Sequence, residues 1–282
     1  MKFFFTTFSF LAFAALADAQ PDNMEVPGNP ARLVAAEKTV FYKLGDRTLP
    51  IRIFQYGDQK NIVCINLHDN EKTSVEAAKA VLELNGGTLI KIENNDQRVV
   101  HFRLRGINYA FDPNGIFSRE GIEKTLKENS SLNPLAIKEI EKFAQRLLQL
   151  IPGNTSCIVA LHNNTDEDYS LTTYLSGNER QHDAKAVYKA SMQDADDMIF
   201  TTDSLLFKKM ADHGYNSIWQ DNMHVTQDGS LSVYCGENGK RYLNIETEHG
   251  KFDQYTEMLG KLLAILTEEN KKSLPQYGKD SE

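Results

Sequence analysis

Apolar and polar positions along the chain follow two rhythms. Residues 62–67 and 157–161 are nearly unbroken apolar runs, as in strands buried on both faces. Val100, Phe102 and Leu104 alternate with polar neighbours, as in a half-exposed strand. Residues 39–44 and 48–54 read as a strand pair joined by Gly45-Asp46, and residues 88–92 and 198–201 as further strands. Val75, Ala78, Val81 and Leu82 repeat at helical spacing until Gly86-Gly87 stops them. Helical spacing also marks residues 121–127, 136–150, 204–213 and 252–266. Residues 229–235 and 241–248 read as a hairpin-like pair around residues 236–239.

Strands alternating with helices predict an α/β fold: a mixed, mostly parallel twisted sheet with helices on both faces. Ligands of such sheets sit beyond the carboxyl ends of the strands. The 282 residues are 41% hydrophobic and 25% charged, which is ordinary for a globular protein. Lys+Arg number 31 against 39 Asp+Glu, a net charge of −8 that argues against a nucleic-acid partner. Lys2, the apolar stretch 3–16 and Ala17-Asp18-Ala19 form a signal-peptide pattern, with Gln20 as the new N-terminus. The expected organisation is a signal peptide over 1–19, an extended lead-in over 20–37, a catalytic domain over 38–270 and a polar tail over 271–282. The mature protein is expected to be secreted or periplasmic, with no membrane attachment after cleavage. Cys64, Cys157 and Cys235 lack metal-site spacing and read as small buried hydrophobes. Asn129, Asn154 and Asn163 open glycosylation acceptor motifs, which matter only in a eukaryotic secretory route.

The chemistry gathers at the strand ends. The run 62–67 leads into His68-x-x-Glu71, and the run 157–161 leads into His162. Two imidazoles and a carboxylate make a three-ligand zinc set that leaves one position for water. Each piece has a plainer alternative: Glu71 as a helix cap and His162 as a hydrogen-bonded strand-end histidine. Alternation places Asn244, Glu246 and Glu248 on one strand face, as a general base or as a solvated acidic edge. Arg103 and Arg105 share another face and could polarise a carbonyl.

In this order the motifs resemble the zinc carboxypeptidase superfamily, including its aspartoacylase and succinylglutamate desuccinylase branch. The resemblance rests on His68-Asp69-Asn70-Glu71, Arg105, residues 111–117, Ala160-Leu161-His162-Asn163-Asn164-Thr165 and Asn244-Ile245-Glu246. It implies Zn2+ on His68, Glu71 and His162, with Glu246 as general base and Glu248 as fallback. It also implies Arg105 at the scissile carbonyl and Asn114 beside a substrate carboxylate. Gly115 departs from the family, which has an arginine there to bind that carboxylate. The expected substrate is a peptide, cleaved at an amide bond. An N-acyl amino acid deacylase and a non-catalytic binding module on the same fold are the alternatives.

Overall fold

In a computed structural model of the chain, the described residues are 31–59, 61–165 and 169–273. Every element below lies in the unit that begins at Arg32. The expected signal peptide and residues 20–30 of the lead-in lie outside the described residues, as does the tail from residue 274.

The chain opens with β1 (Ala35–Leu44), β2 (Arg47–Tyr56) and β3 (Ile62–Asn66), then α1 (Lys72–Asn85) and β4 (Gly87–Ile92). A small hairpin of β5 (Val100–Leu104) and β6 (Ile107–Phe111) follows, then α2 (Arg119–Asn129), α3 (Pro134–Leu150) and β7 (Cys157–Asn164). The second half holds β8 (Ala184–Tyr188), β9 (Met198–Thr201), α4 (Ser204–Asp212) and β10 (Ser217–Gln220). The chain continues with α5 (Leu231–Glu237), β11 (Tyr242–Glu248) and α6 (Phe252–Ser273).

The large sheet has the strand order β1-β2-β4-β3-β7-β11-β9-β10-β8. Its centre, β4-β3-β7-β11, is parallel throughout. Antiparallel ladders join β1 to β2, β2 to β4, β11 to β9 and β10 to β8, so the sheet is mixed with a parallel middle.

Side-chain alternation in the central strands builds both layers of core. Val63, Ile65, Ile158, Ala160 and Tyr242 face one side, where they pack with Ile122 and Leu126 of α2, Ile140 and Phe143 of α3, and Leu231 of α5. Ile62, Cys64, Cys157, Val159, Leu161, Leu243 and Ile245 face the other, against α1, α4 and α6. A strand covered on both faces needs apolar residues at every position, which is why these segments read as continuous runs. The three cysteines are buried and free, and burial pushes the Cys64 and Cys235 thiols up to about 12.

Several boundaries differ from the sequence pattern. The first strand starts at Ala35, inside the expected lead-in, because β2 runs on to Tyr56 and gives Ala35 a partner. Residues 231–237 form a helix rather than a strand of a hairpin. Leu231, Val233 and Cys235 are buried at period-two spacing, which imitates a strand, but the Ser230 hydroxyl caps a helix by accepting from the Val233 N–H. Strands β6, β8 and β10 escaped notice because β6 has no apolar–polar alternation, β8 buries no residue and β10 holds only two apolar residues. The terminal helix extends to Ser273.

One close contact positions the loops above the site. Gly121 in α2 packs against Gly229, and a Cβ at residue 121 would lie 2.7 Å from the Gly115 carbonyl oxygen and 2.9 Å from that of Asp228. Gly260 in α6 has open space where its Cβ would be. Gly121→Ala should therefore lower stability by about 1–3 kcal/mol through overpacking. Gly260→Ala should raise it by up to about 1 kcal/mol through helix propensity. Urea midpoints at unchanged m-value check both; equal effects of the two changes would contradict the contact.

Candidate metal centre

The metal-ligand candidates are placed by the ends of two parallel strands. After β3, Leu67 is still buried, and the next residue, His68, begins the turn into α1. Glu71 sits at the N-cap of α1, yet its side chain makes no capping hydrogen bond. The helix N–H of Ser74, which has no partner within the helix, is instead satisfied by Asn163 Oδ1 on β7, at 3.0 Å. Glu71 is thus released from capping and its carboxylate turns inward. On β7, alternation carries Ile158, Ala160 and His162 to the same side of the sheet. The parallel register pairs His162 with Glu246 on β11.

His68 Nδ1 lies 2.8 Å from Glu71 Oε1 and 3.2 Å from His162 Nδ1. His162 Nδ1 lies 3.0 Å from Glu71 Oε2. The exposures are 0% for His68, 1% for Glu71 and 4% for His162. Three ligands held at about 2.0–2.2 Å by a tetrahedral ion lie roughly 3.3–3.6 Å from one another. Two imidazole nitrogens and a carboxylate gathered at nearly this spacing fit a divalent transition metal by both donor type and size. His68 is oriented from behind, with its Nε2 2.7 Å from Asp112 Oδ1. A carboxylate on the far nitrogen of a ligating histidine fixes the ring and its tautomer.

Solved structures similar to this chain include thrombin activatable fibrinolysis inhibitor, at 12% identity and a TM-score of 0.49, covering 83% of this chain and 70% of that one. Another is the murein-tripeptide amidase MpaA from Escherichia coli O157, at 13% identity and a TM-score of 0.43, covering 81% of this chain and 90% of that one. A third is an aspartoacylase family protein from Mesorhizobium loti, at 13% identity and a TM-score of 0.42, covering 85% and 69%. No protein-family model and no curated protein matches the chain. What the site can do follows from its own atoms.

Burial disfavours a charge on His68, but Glu71 and Asp112 outweigh it and raise its pKa to about 9. Burial would lift the Glu71 carboxyl, yet His68 and His162 hold it well below the usual range. Asp112 is likewise held low against its burial by His68 and Arg98. Burial raises Glu246 above the ordinary carboxyl value, with His162 opposing and Glu71 adding to the rise.

A cavity of about 510 Å³ opens over these residues, and Glu71, His162, Asn114 and Glu246 all line it. Glu246 accepts a hydrogen bond from the Asn244 amide at 2.9 Å. Glu248 is turned elsewhere, to Lys251 Nζ at 3.2 Å, and does not line the cavity. Arg105 is placed outside it as well. It forms a two-residue turn with Gly106 between β5 and β6, with φ of 51° and 83°, and is exposed. Arg98 occupies the cavity instead. Its Nη1 donates to Glu71 Oε1 at 2.8 Å and its Nε to Asp112 Oδ2 at 3.1 Å.

Asp69 does not touch the histidines. It pairs with Lys91 and accepts from the backbone N–H groups of Asn94 and Asp96, at 2.6 and 3.0 Å. This buried anchor folds the loop that delivers Arg98. Sequence reasoning missed the part played by Asp112, although it sits in the same Asp-Pro-Asn stretch as Asn114. It also missed Tyr169, Tyr174 and Arg180, which line the cavity from a polar segment without periodicity.

Asp112→Asn keeps an acceptor for the Asn114 N–H but removes the charge behind His68. Affinity for a divalent transition metal, probed with Zn2+, should fall about 10- to 100-fold. A competition titration against a chromogenic chelator measures it; unchanged affinity would mean that Asp112 does not tune the ligand.

Proposed function

We propose that this chain is an exported, zinc-dependent hydrolase that cleaves an amide bond in a peptide. The observation that carries the reading is the convergence of His68 Nδ1, His162 Nδ1 and the Glu71 carboxylate, with Glu71, His162 and the buried Glu246 lining one cavity. Those three residues would hold the metal. When bound, zinc supplies the Lewis acidity that makes water nucleophilic near neutral pH and polarises a carbonyl.

Glu246 is the general base. It takes one proton from the attacking water as the oxygen bonds to the carbonyl carbon. It then returns that proton to the amine nitrogen as the C–N bond breaks, so protons balance over the cycle. A raised carboxyl pKa suits both halves of this task, because the group must hold the proton between them. Arg98 uses only its Nε and one Nη1 bond among the described residues, so further N–H donors remain for the developing oxyanion. Asn114 presents its amide to the same cavity and helps seat the substrate. Phe200, Val233 and Tyr242 form an apolar wall that strengthens these polar contacts by excluding water.

Export is supported by the leader pattern of Lys2, residues 3–16 and Ala17-Asp18-Ala19. Among the described residues, no helix is long and apolar enough to cross a membrane.

Purified protein should bind one zinc and hydrolyse a peptide panel, with activity lost to a chelator and restored by zinc. Glu246→Gln should keep the zinc and lower kcat by about 10²- to 10⁴-fold, while Glu248→Gln changes little. The base must be ionised, so kcat/KM should fall on the acid side as Glu246 takes up a proton. Full activity in Glu246→Gln, or a protein that binds no zinc, would end this reading.

A further inference from the structure

The family position for a carboxylate-binding arginine is Gly115 in this chain, and a glycine has no charge to offer. Gly115 also lines a neighbouring recess rather than the main cavity. The arginines nearest to it in sequence do not fill the gap. Arg119 is paired with Glu123 and Glu141, and Arg103 is exposed on β5. Arg98 is held at the ligand cluster by Glu71 and Asp112, and its remaining donors serve the oxyanion in the reading above.

The cavity has one other arginine, Arg180. Its backbone is fixed on both sides: its N–H donates to the Thr173 carbonyl at 2.9 Å, and its own carbonyl accepts from Asp183 N–H at 3.0 Å. Its guanidinium lies over the ring of Tyr169, 5.6 Å from the centroid. The Asp183 carboxylate is 3.9 Å away, beyond hydrogen-bond length. Asp183 spends its other oxygen on Thr226, accepting from the N–H at 2.7 Å and the hydroxyl at 2.8 Å. Among the described residues, the Arg180 guanidinium donates no hydrogen bond, although its side chain is only 41% exposed. A half-buried planar fork of five donors without an acceptor is suited to a two-point grip on a carboxylate.

We infer that Arg180 is the specificity residue of the cavity and binds a carboxylate of the substrate, in place of the arginine missing at position 115. This rests on the hydrolase reading and narrows it: the substrate is a peptide or N-acyl amino acid that carries a negative charge on the part seated against Tyr169. The carboxylate is a free C-terminus or an acidic side chain, and the two are separable.

Arg180→Gln and Arg180→Lys would be compared with the unaltered zinc-loaded protein on matched peptides. One pair has a free or amidated C-terminus, and the other ends in Glu-amide or Gln-amide. Arg180→Gln should raise KM for the charged member of one pair about 10- to 100-fold, with kcat within a few-fold and the neutral member unchanged. Arg180→Lys should recover part of the loss. The pair that responds identifies which carboxylate is held. Equal loss on charged and neutral peptides, or no loss on either, would overturn the assignment.

A binding readout separates this from the hydrolase reading. Calorimetry should find succinate bound more tightly than succinamide by the unaltered protein, and the difference abolished by Arg180→Gln. That result without any peptide cleavage would refute the hydrolase while retaining the carboxylate grip. Cleavage with no Arg180-dependent preference would do the reverse.

Discussion

The constraint on which the site depends is the buried charge of Glu71. A carboxylate at 1% exposure is costly unless its oxygens are matched by positive or hydrogen-bonding partners. Here His68 and Arg98 meet one oxygen and His162 meets the other. These partners come from three segments far apart in sequence, so Glu71 ties the turn after β3, the loop after β4 and the end of β7 to one point. The same demand makes the cluster receptive to a divalent cation, which can replace the histidine protons and satisfy the carboxylate directly.

The fold meets that demand through strand register. With β3, β7 and β11 parallel and adjacent, their carboxyl ends open on the same edge of the sheet. A one-residue slip of β11 would turn Glu246 to the opposite face, among the apolar contacts of Leu243 and Ile245. The register is held by those same alternating apolar residues on both faces, so the core that stabilises the sheet also fixes the distance between the candidate base and the ligands. Asp69 adds a second level of support. It spends a buried charge on two backbone N–H groups and Lys91, and so fixes a loop whose only contribution to the cavity is Arg98.

What was legible in the sequence followed from periodicity. Continuous apolar runs marked the central strands, and polar residues directly after them marked His68, Glu71 and His162 as strand-end groups that the structure brings together. Arg105 misled because strand alternation was extended one residue into a turn. Once Leu104 and Ile107 pair across the hairpin, Arg105-Gly106 has no face of the sheet to occupy. The segment 231–237 misled for the opposite reason, since a helix of seven residues is too short for its 3.6-residue period to show. Arg180 left no signal, because a cavity wall built from a loop has neither period nor flanking breaker, and the Asp183 beside it is held by Thr226 from a distant segment.

Placing the two cavity arginines on different loops has a physical consequence. Arg98 lies against Glu71 and Asp112, so its position responds to any change in charge at the centre. Arg180 is fixed by its backbone and by Tyr169, and its one long ion pair is to Asp183, whose carboxylate is held by Thr226 rather than by the ligand cluster. A substrate anion arriving at Arg180 therefore need not compete with the ligand cluster for an existing hydrogen bond. If an arginine stood at position 115, beside Asn114 and within the stretch that begins at Asp112, it would share one short turn with the carboxylate that orients His68. With glycine there, the two cavity arginines sit on separate loops, and the Arg180 loop can change its charge without removing a hydrogen bond from Glu71.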